Sequence, residues 1–105
     1  MTEQADKVEA FLLIKLMEEC AEVTQACSKI LEHGFWATNA ETGIVYDNQC
    51  QLAKELGDVL AVMQVLCATV HGKAHREVLN LRMIEAFAVN KRKILRDLAS
   101  RRSDG

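Results

Sequence analysis

Two acidic pairs stand out for the chemistry their spacing allows. Glu19 and Glu22 lie three residues apart in KLMEECAE, and Glu55 and Asp58 lie three apart in KELGD. On a helix, residues so spaced sit about 60° from one another and share a face. Each pair therefore projects two carboxylates from one side of one helix. If the two helices pack together, four carboxylates converge on one point. Like charges that close raise one another's pKa and resist burial, so they require a counter-charge. A hard divalent cation bound by oxygen, Mg²⁺ or Mn²⁺, supplies it. Mg²⁺ keeps waters and shares its shell with substrate phosphates, which suits attack on a phosphoanhydride.

The first pair alone is a weak signal, because ExxE is frequent on the charged flank of an ordinary helix. Glu18 and Glu22 even form an unfavourable like-charge pair at i,i+4, costing about 0.2–0.5 kcal/mol, which Lys15, four residues before Glu19, offsets in part. The second pair is more specific. Glu55 and Asp58 are the only acids after the start of an otherwise apolar helical stretch. A merely solvated face would carry more charge. A di-iron centre is disfavoured, since it calls for Glu-x-x-His and none of His33, His71 or His75 has a glutamate three residues ahead.

The elements that must position these acids read as helices. The chain has no proline, glycines fall at 34, 43, 57, 72 and 105, and strictly alternating β-branched runs are missing. The expected fold is all-α, an antiparallel helical bundle completed by oligomerisation, with 1–105 forming one domain. A helix over 6–33, about 40 Å long, opens at Asp6 with Glu9 as capping-box partner and stops at Gly34. Its apolar stripe runs through Leu12, Leu13, Leu16, Cys20, Val23, Cys27, Ile30 and Leu31. Residues 35–47 read as a long loop. A helix over 48–71, capped by Asp47 or Asn48, carries one apolar face through Leu52, Leu56, Val59, Leu60, Met63, Leu66, Cys67 and Val70. Its second face holds Gln51, Glu55, Asp58, Val62, Val65 and Thr69, so burial is expected on more than one side. A helical segment over 73–102 follows, with a break expected at Asn80 and fraying in the terminal SRRSDG.

Composition excludes several classes. At 105 residues with net charge −2, there is no basic excess for nucleic-acid phosphates. The late basic cluster, Lys91 to Arg102, reads as a solvated helix end, with an anion-binding role as the alternative. Cys20, Cys27, Cys50 and Cys67 form no CxxC and no zinc spacing, and read as small core residues of a reducing compartment. The polar N-terminal MTEQADKVEA is not a signal peptide. The longest apolar run, Val59 to Val70, is too short to span a bilayer. A cytoplasmic protein with no nucleic-acid or membrane partner is expected.

EECAE followed, after a spacer, by ELGD resembles the EExxE…ExxD signature of the all-α nucleoside triphosphate pyrophosphohydrolases, the MazG-like superfamily. That group includes the dimeric dUTPases and the phosphoribosyl-ATP pyrophosphohydrolases. The resemblance covers most of the chain. It implies magnesium-dependent cleavage of a (d)NTP between the α and β phosphates, giving (d)NMP and pyrophosphate. The implied metal ligands fall on Glu19, Glu22, Glu55 and Asp58, with Glu18 and Glu19 as the catalytic carboxylates, Glu18 either supporting the ligands from behind or helping to orient the water. The family's late helix carries a Lys and an Asn four apart that bind substrate. Asn90 matches the Asn, but the Lys position falls on Ala86. Lys91, Lys93, Lys15 and Lys29 are the replacements in reach, and Trp36 in the aromatic-bearing 35–47 segment is a candidate for stacking the base. The alternative for Phe35, Trp36 and Tyr46 is that they pin the segment to the bundle.

Three other readings compete. One is a phosphoribosyl-ATP pyrophosphohydrolase-like enzyme. The second is a non-catalytic metal-binding interaction module, and the third a plain oligomerisation domain. Long helices in so short a chain make only a thin bundle, and the second apolar face needs cover, so a homodimer or homotetramer is expected.

Overall fold

The computed structural model describes residues 4–104 of the chain. Residues 1–3 of the polar N-terminal stretch and residue 105 of the C-terminal SRRSDG lie outside the described residues. The first helix, α1, spans Lys7–His33. Asp6 Oδ1 accepts the Glu9 backbone N–H at 2.8 Å and Glu9 Oε1 accepts the Asp6 N–H at 2.9 Å, closing the expected capping box. Gly34, at φ +88°, ends the helix with its N–H on Ile30 O at 2.7 Å. That conformation favours glycine because a Cβ would be strained there.

The 35–47 segment, read above as a loop, carries a short hairpin. Strand β1, Trp36–Thr38, pairs antiparallel with β2, Val45–Asp47, in the register Trp36↔Asp47, Ala37↔Tyr46 and Thr38↔Val45. Asn39 builds the turn: its Oδ1 accepts the N–H groups of Glu41 at 2.9 Å and Thr42 at 3.0 Å. Gly43, at φ +74°, completes it. The base of the hairpin is tied down where it meets the helices. Asn48 Nδ2 donates to Gly34 O at 2.9 Å, and Gln49 N donates to Phe35 O at 3.2 Å.

The second helix, α2, spans Asn48–Thr69, two residues short of the expected end. Of its two candidate caps, Asp47 fills the role, since its Oδ1 accepts the Cys50 N–H at 2.9 Å. The third helix, α3, spans Lys73–Asp104 without a break. Asn80, expected to start a new helix, sits inside it because its Nδ2 donates to Arg76 O one turn back, at 2.7 Å. The terminal serine and arginines, expected to fray, are helical through Asp104.

The described residues divide after Thr69 into two compact units, α1–hairpin–α2 and α3. The architecture is all-α apart from the hairpin. Within the first unit the buried apolar residues are Leu12, Ala26, Leu66 and Cys67. On α1, the buried positions Leu12, Glu19 and Ala26 recur every seven residues, the spacing of a narrow helix–helix seam. The stripe read from the sequence holds in part: Leu12 is buried and Leu16, Val23 and Ile30 are half-buried along this seam, whereas Leu13 and Leu31 are exposed. Cys20 and Cys27 each sit one residue, about 100° of helix, round from a seam position, and are exposed, as is Cys50; of the four cysteines only Cys67 is buried. Among the described residues no helix is long and apolar enough to cross a membrane.

Candidate metal centre

The spacing argument requires that α1 and α2 meet with their acidic faces together, and they do. One ligand atom from each of Glu19, Glu22, Glu55 and Asp58 can be chosen so that all lie within 4.8 Å of one another. Glu19 and Glu55 are each only 5 % exposed and occupy the seam itself. Glu22 is exposed and Asp58 half-buried, so they form the open side.

The surrounding bonds leave this cluster incomplete. Lys15 Nζ lies 3.1 Å from Glu19 Oε1. Gln51 Nε2 donates to Glu55 Oε1. Lys54 Nζ lies 3.0 Å from Asp58 Oδ2 and 3.7 Å from Glu55 Oε1. The second oxygens, Glu19 Oε2 and Glu55 Oε2, are buried and meet no N–H or hydroxyl donor among the described residues; only the neighbouring carboxyl of Glu22, when protonated, can donate to these acids. A buried carboxylate oxygen without a partner is costly, and two of them in one acidic cluster fit a bound divalent cation. The donor set is all oxygen, which suits Mg²⁺ or Mn²⁺ rather than a thiolate- or imidazole-seeking metal.

Charge shapes the site as well. A side-chain hydrogen bond to Glu55, and then the charges of Glu19 and Glu55, hold the Glu22 carboxyl above its ordinary value. Lys15 and Lys54 are pushed up in turn, each first by the hydrogen bond to its carboxylate partner, Glu19 and Asp58 respectively.

The cluster opens onto a groove along the two helices. One cavity of about 440 Å³ is lined by Lys15, Glu19, Glu22, Lys54, Asp58 and neighbours at Ala61 and Val62. The next, about 270 Å³, shares Glu22 and Lys54 and adds Gln25, Lys29, Gln51 and Glu55. Lys29 carries on into a third, about 390 Å³, against the hairpin. Residues rise along α1 as they descend along α2, so the helices run antiparallel.

The sequence-derived candidates fall as follows. Lys15 and Lys29 both line the groove. Glu18 is an exposed neighbour of the cluster on α1. Trp36 is 64 % exposed and does not line the hairpin cavity, whereas Tyr46 does. The hairpin aromatics do not pin the segment by burial, since Phe35, Trp36 and Tyr46 are all about half exposed or more. Asn90 and Lys91 belong to α3, where both are exposed and Lys91 Nζ stands 5.6 Å from the Phe87 ring centroid. Sequence reasoning placed Gln51 on the acid-bearing face but gave neither it nor Lys54 a role at the site. Their signal was present, since each lies four residues before an acid of the pair, the spacing already noted for Lys15 and Glu19.

An all-α chain whose paired helices gather four carboxylates in a lysine-walled groove has the parts of a metal-dependent phosphoanhydride site. The family comparison agrees: the MazG nucleotide pyrophosphohydrolase domain matches residues 8–96, and the chain belongs to that family. Comparison with curated proteins and with solved structures returns no match.

Proposed function

We propose that this protein is a Mg²⁺-dependent nucleoside triphosphate pyrophosphohydrolase that converts a (d)NTP to (d)NMP and pyrophosphate, with 1–105 acting as one catalytic domain in the cytoplasm. The observation that carries the reading is the convergence of Glu19, Glu22, Glu55 and Asp58, with two of their buried oxygens meeting no N–H or hydroxyl donor among the described residues. Those four residues would hold the cation, which supplies charge neutralisation for the carboxylates and polarises the phosphate oxygens. Lys15 and Lys54 line the same groove and neutralise the triphosphate. Lys29, further along the groove, completes the proposed substrate contacts within this unit. Glu18 and Glu19 orient the attacking water. Its oxygen bonds to a phosphorus of the α–β linkage, the bridging P–O bond breaks, pyrophosphate leaves, and the proton passes to the exposed Glu18. Positioning and electrostatics carry most of such a rate enhancement.

The test is pyrophosphate release over a panel of ribo- and deoxyribonucleoside triphosphates, with Mg²⁺ and with EDTA. Pyrophosphate and monophosphate are expected, lost with EDTA, and lost in Glu19→Gln and Asp58→Asn while the far-UV circular dichroism stays helical. Orthophosphate and diphosphate would place the cut at the wrong bond. Metal binding without turnover would leave a non-catalytic module instead.

The same reading includes a homodimer or homotetramer. Phe11, Ile14 and Met17 on α1 and Leu56, Leu60 and Val65 on α2 are exposed apolar residues, more than a narrow seam leaves room to bury. Light scattering that gives a monomer mass at working concentration would remove this part.

A further inference from the structure

Of the residues lining the cavity against the hairpin, only Lys29 enters the chemistry described so far. We propose that it is the nucleoside subsite of this chain, with the base on the Tyr46 ring and its polar edge read by Asn48 and Asn39, an inference that rests on the nucleotide hydrolase reading above.

The cavity holds about 390 Å³, within the roughly 300–1,000 Å³ of small-molecule sites. Ala37 and Tyr46 both line it, and they are a cross-strand pair, so they share one face of the ribbon. A small residue beside the ring leaves room for a second flat group against the Tyr46 face, and base–aromatic stacking accepts any base. Trp36, one residue out of that register, is outside the lining.

Two amides of this cavity already have half of their groups engaged, and the remainders are complementary to a base edge. Asn48 donates through Nδ2 to Gly34 O at 2.9 Å, which leaves Oδ1 to accept a base N–H. Asn39 accepts through Oδ1 from Glu41 N and Thr42 N, which leaves its NH₂ to donate to a ring nitrogen or carbonyl. Each hydrogen bond that engages these amides also fixes their orientation. The ribbon itself is tied at Gly34–Asn48 and Phe35–Gln49, so the ring and amides stand on a held ledge rather than a free loop.

Position supplies the link to the carboxylates. Lys29 lines both this cavity and its neighbour beside Gln51, Lys54 and Glu55. It lies two helical turns from Glu22, about 10 Å along α1, comparable to the span from a 5′-phosphate to the far edge of its base. A nucleotide with its base on the hairpin thus passes its phosphates by Lys29 toward the acids.

The experiment titrates each common deoxynucleoside 5′-monophosphate, in EDTA, into the ¹⁵N-labelled full chain and follows amide shifts. Saturable shifts centred on His33, Ala37, Tyr46 and Asn48 are expected for at least one base. Tyr46→Ala should weaken that binding about tenfold or more, and Tyr46→Phe, which keeps the ring, should retain it. No saturable shift with any monophosphate, shifts centred elsewhere, or equal affinity in wild type and Tyr46→Ala would each overturn the subsite. Because the titration needs neither metal nor turnover, it separates the two readings. Binding here without hydrolysis of any triphosphate sinks the hydrolase and keeps the nucleoside site. Hydrolysis with shifts elsewhere does the reverse.

Discussion

Glu19 of α1 and Glu55 of α2 sit together in the helix seam, each 5 % exposed, each with one buried carboxylate oxygen that meets no N–H or hydroxyl donor among the described residues. A seam position is where a two-helix unit would ordinarily place leucine. Putting charge there lowers stability unless something else neutralises it. The centre of this unit therefore carries buried charge that a bound cation would neutralise.

That buried charge gives a stability prediction. Saturating Mg²⁺, at about 100 times its dissociation constant, should stabilise the wild type by about 2.7 kcal/mol, seen as a higher melting temperature by circular dichroism. Glu55→Gln keeps an acceptor for Gln51 but removes a buried charge. It should stabilise the metal-free protein by on the order of 1 kcal/mol, seen as a higher melting temperature, and abolish most of the Mg²⁺ shift. A variant less stable than wild type in EDTA, or one with the full Mg²⁺ shift, would contradict this account.

The cluster also sets a pH dependence. The Glu22 carboxyl titrates above the ordinary 4.5, chiefly through its hydrogen bond to Glu55. A raised folded-state pKa means that the native protein holds this proton more tightly than the unfolded chain. The resulting stability is fully present below the unfolded value and is lost as pH rises through the folded one. In EDTA, the melting temperature should fall across that window, and the fall should shrink in Glu22→Gln. Mg²⁺ affinity should move the opposite way, strengthening with pH, because the ligands must be deprotonated. Parallel pH slopes for wild type and variant would refute the assignment.

Lys54 gives a third prediction, one that separates metal binding from turnover. Its ammonium lies 3.0 Å from Asp58 and 3.7 Å from Glu55, and its side chain lines the groove on both sides of Glu22. In the free protein it acts as a resident cation. Lys54→Met should therefore bind Mg²⁺ more tightly by calorimetry. It should also hydrolyse nucleotide at least about tenfold more slowly, as expected for loss of a hydrogen bond to a charged phosphate. Unchanged turnover would leave Lys54 as a partner of the acids only.

Several features follow from local rules and were legible in the chain. Asp6 and Glu9 close the capping box, Gly34 ends α1 at positive φ, and the i,i+3 spacing puts Glu19 beside Glu22 and Glu55 beside Asp58. Each depends on residues within a turn or two of one another, so helix geometry alone decides it. The hairpin was not legible, because strands of three residues are too short to show alternation and its turn is set by one asparagine side chain. Nor was the unbroken α3, where a single back-bond absorbs Asn80 into the helix.

What only the tertiary structure decided is how the faces meet. The apolar pattern of α1 admits a broad stripe through Leu13, Cys20 and Leu31. Packing against α2 narrows it to a seam centred on Leu12, Glu19 and Ala26 and flanked by Leu16, Val23 and Ile30, so that Glu19 is buried while Glu18 and Glu22 stay open. The same packing brings Glu55 and Asp58 onto that face and sets Lys54 over them. It also aligns Lys29 with Tyr46 and Asn48, residues whose separation in the chain hides their shared cavity. Which side of an amphipathic helix is covered depends on the partner surface that reaches it, and no local rule carries that information.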